Sequence, residues 1–389
     1  MGKFRWVFTI LVAALVASCS PAQGTNHSAA TRTPSPPATA LSTPSSAPVS
    51  PSPAPLRPVL VGLSGVNAVF TVARLDGTPL ASLPATNAIG DEHVVGAYLV
   101  AAADGKEWTV DAAGVVRPVS PIAAKLLSPD KVLSLLVLDS TTAIDGCQMA
   151  STGDCTALEV RLDTGASRTL QTAPNIGQWA MAMGPSLKVL EVSPDLNTVW
   201  LREVTAATAG SQGSTAKLEI VGVDRLTGAV TRHNLPAAMQ DLDLTISRDG
   251  KWVAGQEDAG TDSTHLAIRH LHVVSLVTGV DSDVQGTAPY VGGQRSPSIL
   301  FAPDASQVVW WGGVNNGSTT FSVNIAAIGG TGKSVFPHDG NVVNGVLGVF
   351  WLNATTLVIE RGGMFAVKAD TGSATQLTGP IDYLVGVLN

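Results

Sequence analysis

Charge is scarce in this chain. Only 14% of its 389 residues are Asp, Glu, Lys or Arg, and the net charge is −7. No stretch is basic, so nothing in the sequence supports nucleic-acid binding or electrostatic attachment to anionic lipid. Aromatic residues make up 5%, and helical periodicity is nearly missing. There are three cysteines, too few for a Cys-rich metal module, and no second Cys pair or nearby His completes a ligand set. No G-x-S-x-G elbow of a serine hydrolase occurs.

What is present begins with MGKFRWVFTILVAALVASCS. Lys3 and Arg5 make a basic start, and Val7 to Val16 form an apolar run of signal-peptide length, too short to span a bilayer. Val16-Ala17-Ser18-Cys19 resembles the lipoprotein box of bacteria. The resemblance implies a signal over 1–18, cleavage before Cys19, a lipid on Cys19 and a chain held outside the cytosol on the cell membrane; an ordinary cleaved signal is the alternative. From 19 to 58 the chain is Pro, Ser, Thr and Ala with almost no large apolar residues. Such a composition cannot offset its ordering entropy and reads as an extended tether. Cys147 and Cys155 remain, and in an oxidising compartment they are expected to form a disulfide.

Residues 59–389 are expected to form an all-β domain of short alternating runs broken by Gly, Asp, Asn and Pro turns. They repeat. LEVSPDLNTVWLREV from Leu190, LTISRDGKWVAGQE from Leu244, ILFAPDASQVVWWGG from Ile299 and LLSPDKVLSLLVL from Leu126 share one plan: an apolar run, an Asp turn and a second apolar run. VFWLNATTLVIERGG from Val349 is a copy with Asn353 in place of the Asp. A hairpin with Thr-Gly at its turn follows in LEVRLDTGASRTL, LEIVGVDRLTGAVTRHNL, LHVVSLVTGVDSDV and MFAVKADTGSATQL. The turn aspartates at 130, 195, 249 and 304 are 65, 54 and 55 residues apart. Four-stranded units of this size are propeller blades.

The turn signature, clearest in SRDGKWVA from Ser247, resembles the WD40-like repeat of TolB-type β-propellers. The resemblance specifies a fold far better than a function. Units are expected at 85–120, 121–171, 186–236, 240–286, 296–337 and 346–378. A seventh would pair residues 59–83 with the terminal strand from Ile381, placing Tyr383, Leu384 and Val385 in its packing. Six blades is the alternative. The chain departs from TolB in carrying a tether where TolB carries an α/β domain.

Several residues invite chemistry. AAIGGTGKSV, with Gly332, Lys333 and Ser334, matches a permissive P-loop, but that motif needs a helix after it, and here a hairpin turn is expected and no nucleotide. Ser128-Pro129-Asp130-Lys131 fits S-x-x-K and is expected to be a repeat turn, since no K-T-G or S-D-N partner exists. His270 and His272 share a strand face, with His265 nearby; an exposed or hydrogen-bonded strand role is expected rather than a metal site. Glu257, Asp258 and Asp262 read as a solvated loop, with Ca²⁺ as the competing ligand. Trp200, Trp252, Trp310, Trp311 and Trp351 are expected to pack between blades, with either Trp310 or Trp311 facing the other way. These readings assign no catalytic, cofactor or metal residue. They leave two functions open: a membrane-anchored module binding a protein, peptide or glycan, or an extracytoplasmic lyase or hydrolase with its site at the funnel mouth.

Overall fold

The computed structural model describes residues 58–64, 69–89, 95–102, 105–127, 135–147, 154–174, 186–210, 213–235, 239, 244–261, 267–284, 291–292, 299–315, 319–336 and 348–388. Cys19 and the signal and tether therefore lie outside the described residues, as do His265, Asp262 and Ser128–Lys131. The chain divides into Met1–Pro53 and Ala54–Asn389, and every described residue belongs to the second unit.

That unit is a seven-bladed β-propeller. Blade III shows the plan. Its strands are Leu135–Asp139, Thr142–Asp145, Cys155–Arg161 and Ser167–Ala173, paired in chain order. Blade IV repeats it with Ser186–Val192, Thr198–Gly210, Gly213–Asp224 and Val230–Asn234. Blade V uses Thr245–Ile246, Trp252–Thr261, Ala267–Ser275 and Asp281–Asp283. In blade VI both Val291–Gly292 and Ile299–Phe301 pair with Gln307–Asn315, and Thr319–Ala327 and Lys333–Ser334 follow. Blade VII is Gly348–Asn353, Thr356–Glu360, Met364–Lys368 and Ala374–Leu377. The first strands of blades III and IV, IV and V, V and VI, and VII and I touch one another, which places them around the axis.

Blades I and II share one long strand. The first half of Pro79–Ile89 is the outer strand of blade I, after Val59–Ser64 and Val69–Arg74, and its second half is the inner strand of blade II. Ala97–Ala102, Glu107–Asp111 and Val116–Pro118 complete blade II. The inner strand of blade I comes from the other end of the chain: Tyr383–Leu388 pairs antiparallel with Val59–Ser64. The expected closure is therefore present. Leu384 and Leu388 are buried, but Tyr383 is 54% exposed, so its expected place in the packing is corrected. Neighbours on a strand point to opposite sides, and Leu384 takes the inward one. A carboxylate from blade VII ties the strand in: the Leu384 N–H donates to Glu360 Oε2, 3.0 Å.

One repeat lies in a different alignment from the expected one. Leu126–Leu138 contains an SPD, yet the turn between the first two strands of blade III is Asp139–Thr141, where Asp139 Oδ1 accepts from the Thr141 N–H at 2.7 Å. With the turn residues at 139, 195, 249, 304 and 353, the steps become 56, 54, 55 and 49 residues. The apolar stretch before Leu135 instead carries a short helix, Pro121–Leu126, capped by Ser120, whose Oγ accepts from the Ala123 N–H at 3.1 Å.

The turns repeat one chemistry. Asp249 Oδ1 accepts from Ser247 Oγ at 2.7 Å and from the Lys251 N–H at 3.1 Å, and Asp304 Oδ1 accepts from both the N–H (3.1 Å) and the Oγ (2.7 Å) of Ser306. A side-chain oxygen two residues before an N–H closes the turn without strand partners. In blades IV, V and VI the residue after the Asp takes positive φ. It is Gly250 in blade V, but Leu196 (58°) and Ala305 (56°) in blades IV and VI.

The core lies between blades. Trp310 packs with Ala254, Val273 and Ile299 toward blade V, while Trp311 packs with Val323, Val349 and Trp351 toward blade VII. Adjacent strand residues face opposite sheets, as the alternation requires. Trp200 fills the blade IV–V junction beside Gly250, where an added Cβ would collide with the indole.

Candidate functional site

Strands alternate in direction, so each blade's first and third turns open on one face of the ring. Both chain ends of the domain, Val59 and Leu388, are paired there. We call it the turn face. Most connections on the opposite face lie outside the described residues.

The P-loop-like stretch is on the turn face. Gly330 N–H donates to Ala327 O at 2.9 Å, closing a tight hairpin turn, and Lys333–Ser334 continues as a strand. No helix follows within the described residues, so the setting that a phosphate cradle needs is missing. Gly332 has a packing reason instead: an added Cβ would sit 2.6 Å from the Trp310 ring. Lys333 Nζ donates to Asp370 O of blade VII at 2.6 Å.

Titratable groups are drawn into junctions between and within blades. Glu159 of blade III receives Arg168 Nη2 at 2.7 Å and Arg225 Nε of blade IV at 2.9 Å. Burial opposes its charge, but the hydrogen bonds from Arg225 and Arg168 prevail and hold its carboxyl below the ordinary value of 4.5. Glu203 is fully buried. Gln171 of blade III donates to its Oε2 at 2.8 Å, and Arg232 bridges it to Glu219, directly opposite in register. Glu191 faces Arg248 of blade V at 3.7 Å; there burial outweighs the arginine and raises the carboxyl above its ordinary value.

His272 is buried with Nδ1 3.0 Å from Asp281 of the next strand. This is the hydrogen-bonded strand histidine expected from sequence. His270 lies on the same strand, Ala267–Ser275. Glu257 and Asp258 are in the strand Trp252–Thr261, not in a loop, which corrects that reading. Among the described residues no three His, Cys, Asp or Glu side chains gather closely enough to hold a metal ion. Cys147 and Cys155 are joined by a disulfide, Cα–Cα 5.5 Å, and Cys147 also pairs through its backbone with Leu187 of blade IV.

One surface feature escaped the sequence reading. Leu226 (78% exposed) and Val277 (74%) occupy the tips of adjacent Thr-Gly hairpins in blades IV and V, with exposed Val230 and Val280 beside them. The residue before Thr-Gly is Asp163 in blade III and Asp370 in blade VII. Comparing the copies position by position would have shown the change from Asp to Leu or Val.

No protein-family profile and no curated protein matches the sequence. Solved structures of similar shape include TolB from Acinetobacter baumannii, at 13% identity and TM-score 0.40, covering 71% of this chain and 65% of that one. The propeller domain of the Trilobed protease from Pyrococcus furiosus is similar at 11% identity and TM-score 0.43, covering 73% and 80%. An oligogalacturonate lyase in complex with manganese is similar at 10% identity and TM-score 0.46, covering 82% and 83%.

Proposed function

We propose that this protein is a binding module of the cell envelope, held by a lipid on Cys19 and a Pro-rich tether, and that its propeller engages a protein partner through the turn face. The observation that carries the reading is the apolar pair of hairpin tips in blades IV and V. Leu226 and Val277 stand exposed where equivalent hairpins carry Asp. Exposed apolar side chains gathered on one face mark interaction surfaces more often than isolated ones do. The lipid anchor follows from the Cys19 box, and the disulfide agrees with an oxidising compartment.

The test uses the full chain in its native host. A photo-crosslinking residue replaces Leu226 or Val277, and a control replaces Thr375, exposed on the outer strand of blade VII. A discrete adduct at 226 and 277 but not at 375 is expected. Equal labelling at all three positions would refute binding through these tips. Cys19→Ser should move the protein from the membrane to the soluble fraction, and an unchanged membrane fraction would sink the anchor.

A further inference from the structure

Blade III ends its central hairpin differently from other blades. In blades IV and VII the second and third strands stay paired up to the connection, at Gly210↔Gly213 and Glu360↔Met364. In blade III the same ladder stops at Asp145↔Leu158. Beyond it the two segments part. Cys155, Thr156 and Ala157 pair outward with the fourth strand. Cys147 pairs inward with another blade: its N–H donates to Leu187 O at 2.9 Å, and the Leu187 N–H donates to Cys147 O at 2.8 Å.

Leu187 belongs to Ser186–Val192, the innermost strand of blade IV, and on its other side it stands opposite Glu203 of the second strand. Cys147 therefore covers the edge of blade IV that faces the axis, on the face of the ring opposite the hairpin tips. The bridge is a single residue pair outside the regular strands. One covalent bond fixes it, the disulfide to Cys155, eight residues on.

The two half-cystines have different surroundings. Cys155 is fully buried among Leu136, Ala157, Ala173 and Leu187, whereas Cys147 is partly exposed at the margin of that cluster. A buried thiol packs like a small apolar side chain, so the cluster accommodates Cys155 without its bond. The III–IV junction also has ties that do not involve sulfur: Gln171 to Glu203 at 2.8 Å and Glu159 to Arg225 at 2.9 Å. What is left to the disulfide is the position of Cys147.

We propose that this disulfide is a redox-operated pin, and that thiol–disulfide exchange at Cys147 frees the segment from the inner edge of blade IV while the ring stays folded. The reductant is a protein dithiol outside the cytosol. One of its thiolates attacks the Cys147 sulfur, the accessible one. The bond between the two cysteines breaks, Cys155 leaves as a thiolate and takes up a proton, and a mixed disulfide forms on Cys147. The second thiolate of the dithiol then attacks its own partner sulfur. Cys147 leaves and is protonated, and the dithiol ends as a disulfide, having given two electrons and two protons. The Leu187 N–H and C=O are then open to water on the axis side. The pin stands apart from the binding-module reading, whose hairpin tips lie on the other face.

The test treats the oxidised full chain with dithiothreitol under native conditions and follows alkylation of the two cysteines and residue-resolved amide exchange. Both cysteines should become alkylated, and the Leu187 amide should exchange about tenfold faster or more. Neighbouring N–H groups on a strand point to opposite edges, so the Lys188 amide is directed at Arg202 within blade IV and its exchange should not change. The melting temperature should fall by no more than about 5 °C. The variant Cys147→Ser/Cys155→Ala should show the fast Leu187 exchange without dithiothreitol; if it does not fold, the measurement on the native chain decides. A disulfide that resists native reduction overturns exchange at Cys147. A reduced protein whose Leu187 amide stays protected shows that the bond pins nothing. Equal acceleration at Leu187 and Lys188 shows that it supports the whole blade, which also overturns the pin.

Discussion

Glu159 and Glu191 sit one blade apart and titrate in opposite directions. Glu159 is held below 4.5 by its arginines against the pull of burial, so its ionised form stabilises the fold. That contribution is present above the unfolded value and is lost as pH falls through the lower folded value. Glu159→Gln should therefore lower stability at pH 7 by about 1–2 kcal/mol, and the deficit should vanish in acid. Glu191 is raised by burial, so the folded state favours its proton. The advantage is present below 4.5 and disappears as pH rises through the folded value. Glu191→Gln should raise the melting temperature at pH 7 and change nothing at pH 3. Thermal melts of both variants between pH 3 and pH 8 check the pair; curves sloping the same way would refute the assignment. Neither behaviour was legible in the sequence. LEVRL and LEVSP place the two glutamates in similar strings, but Glu159 lies on a third strand against two arginines and Glu191 on a first strand against one.

At the scale of the element, the turns show what a local motif can and cannot convey. The SRDG turn was readable because its Asp, Ser and Gly bond within five residues. The copies with Leu196 and Ala305 adopt the same positive φ without glycine. Left-handed backbone costs an L-residue roughly 1–2 kcal/mol, while glycine loses about 0.5–1 kcal/mol in entropy. Ala305→Gly should therefore stabilise by about 0.5 kcal/mol. Leu196→Gly should destabilise by about 1 kcal/mol, because Leu196 packs against the core between blades III and IV. Urea unfolding of the two variants separates these outcomes, and a gain in both would mean that the Leu196 contact contributes nothing. The SPD of Ser128–Asp130 misleads for a related reason. Its letters match the turn, but pairing partners decide which Asp closes a hairpin, and that role belongs to Asp139.

At the scale of the molecule, the terminal strand holds the ring closed. Truncation after Gly379 removes buried Ile381, Leu384, Val387 and Leu388. At roughly 1.5–3 kcal/mol each, they represent about 6–12 kcal/mol, against a typical domain stability of about 5–15 kcal/mol. The cut also takes away the N–H that Glu360 binds and exposes the edge of Val59–Ser64. The truncated protein should aggregate or lose most of its melting temperature, whereas removing the residues before Leu56 should leave the melt unchanged. A truncated domain that melts with the intact one would mean that the other six blades suffice.

The number of blades, the identity of the closing strand and the disulfide pair were legible in the sequence because each rests on local or periodic information. Strand runs alternate by two, turns recur at nearly constant spacing, and two cysteines remain once Cys19 is assigned. The junctions were not legible. Glu159 meets Arg225 across 66 positions, and Lys333 of blade VI meets the Asp370 carbonyl of blade VII across 37. No periodicity links such residues. Their meeting depends on how neighbouring sheets stack around the axis, so only the tertiary structure decided which charges are buried and which hairpin tips are exposed.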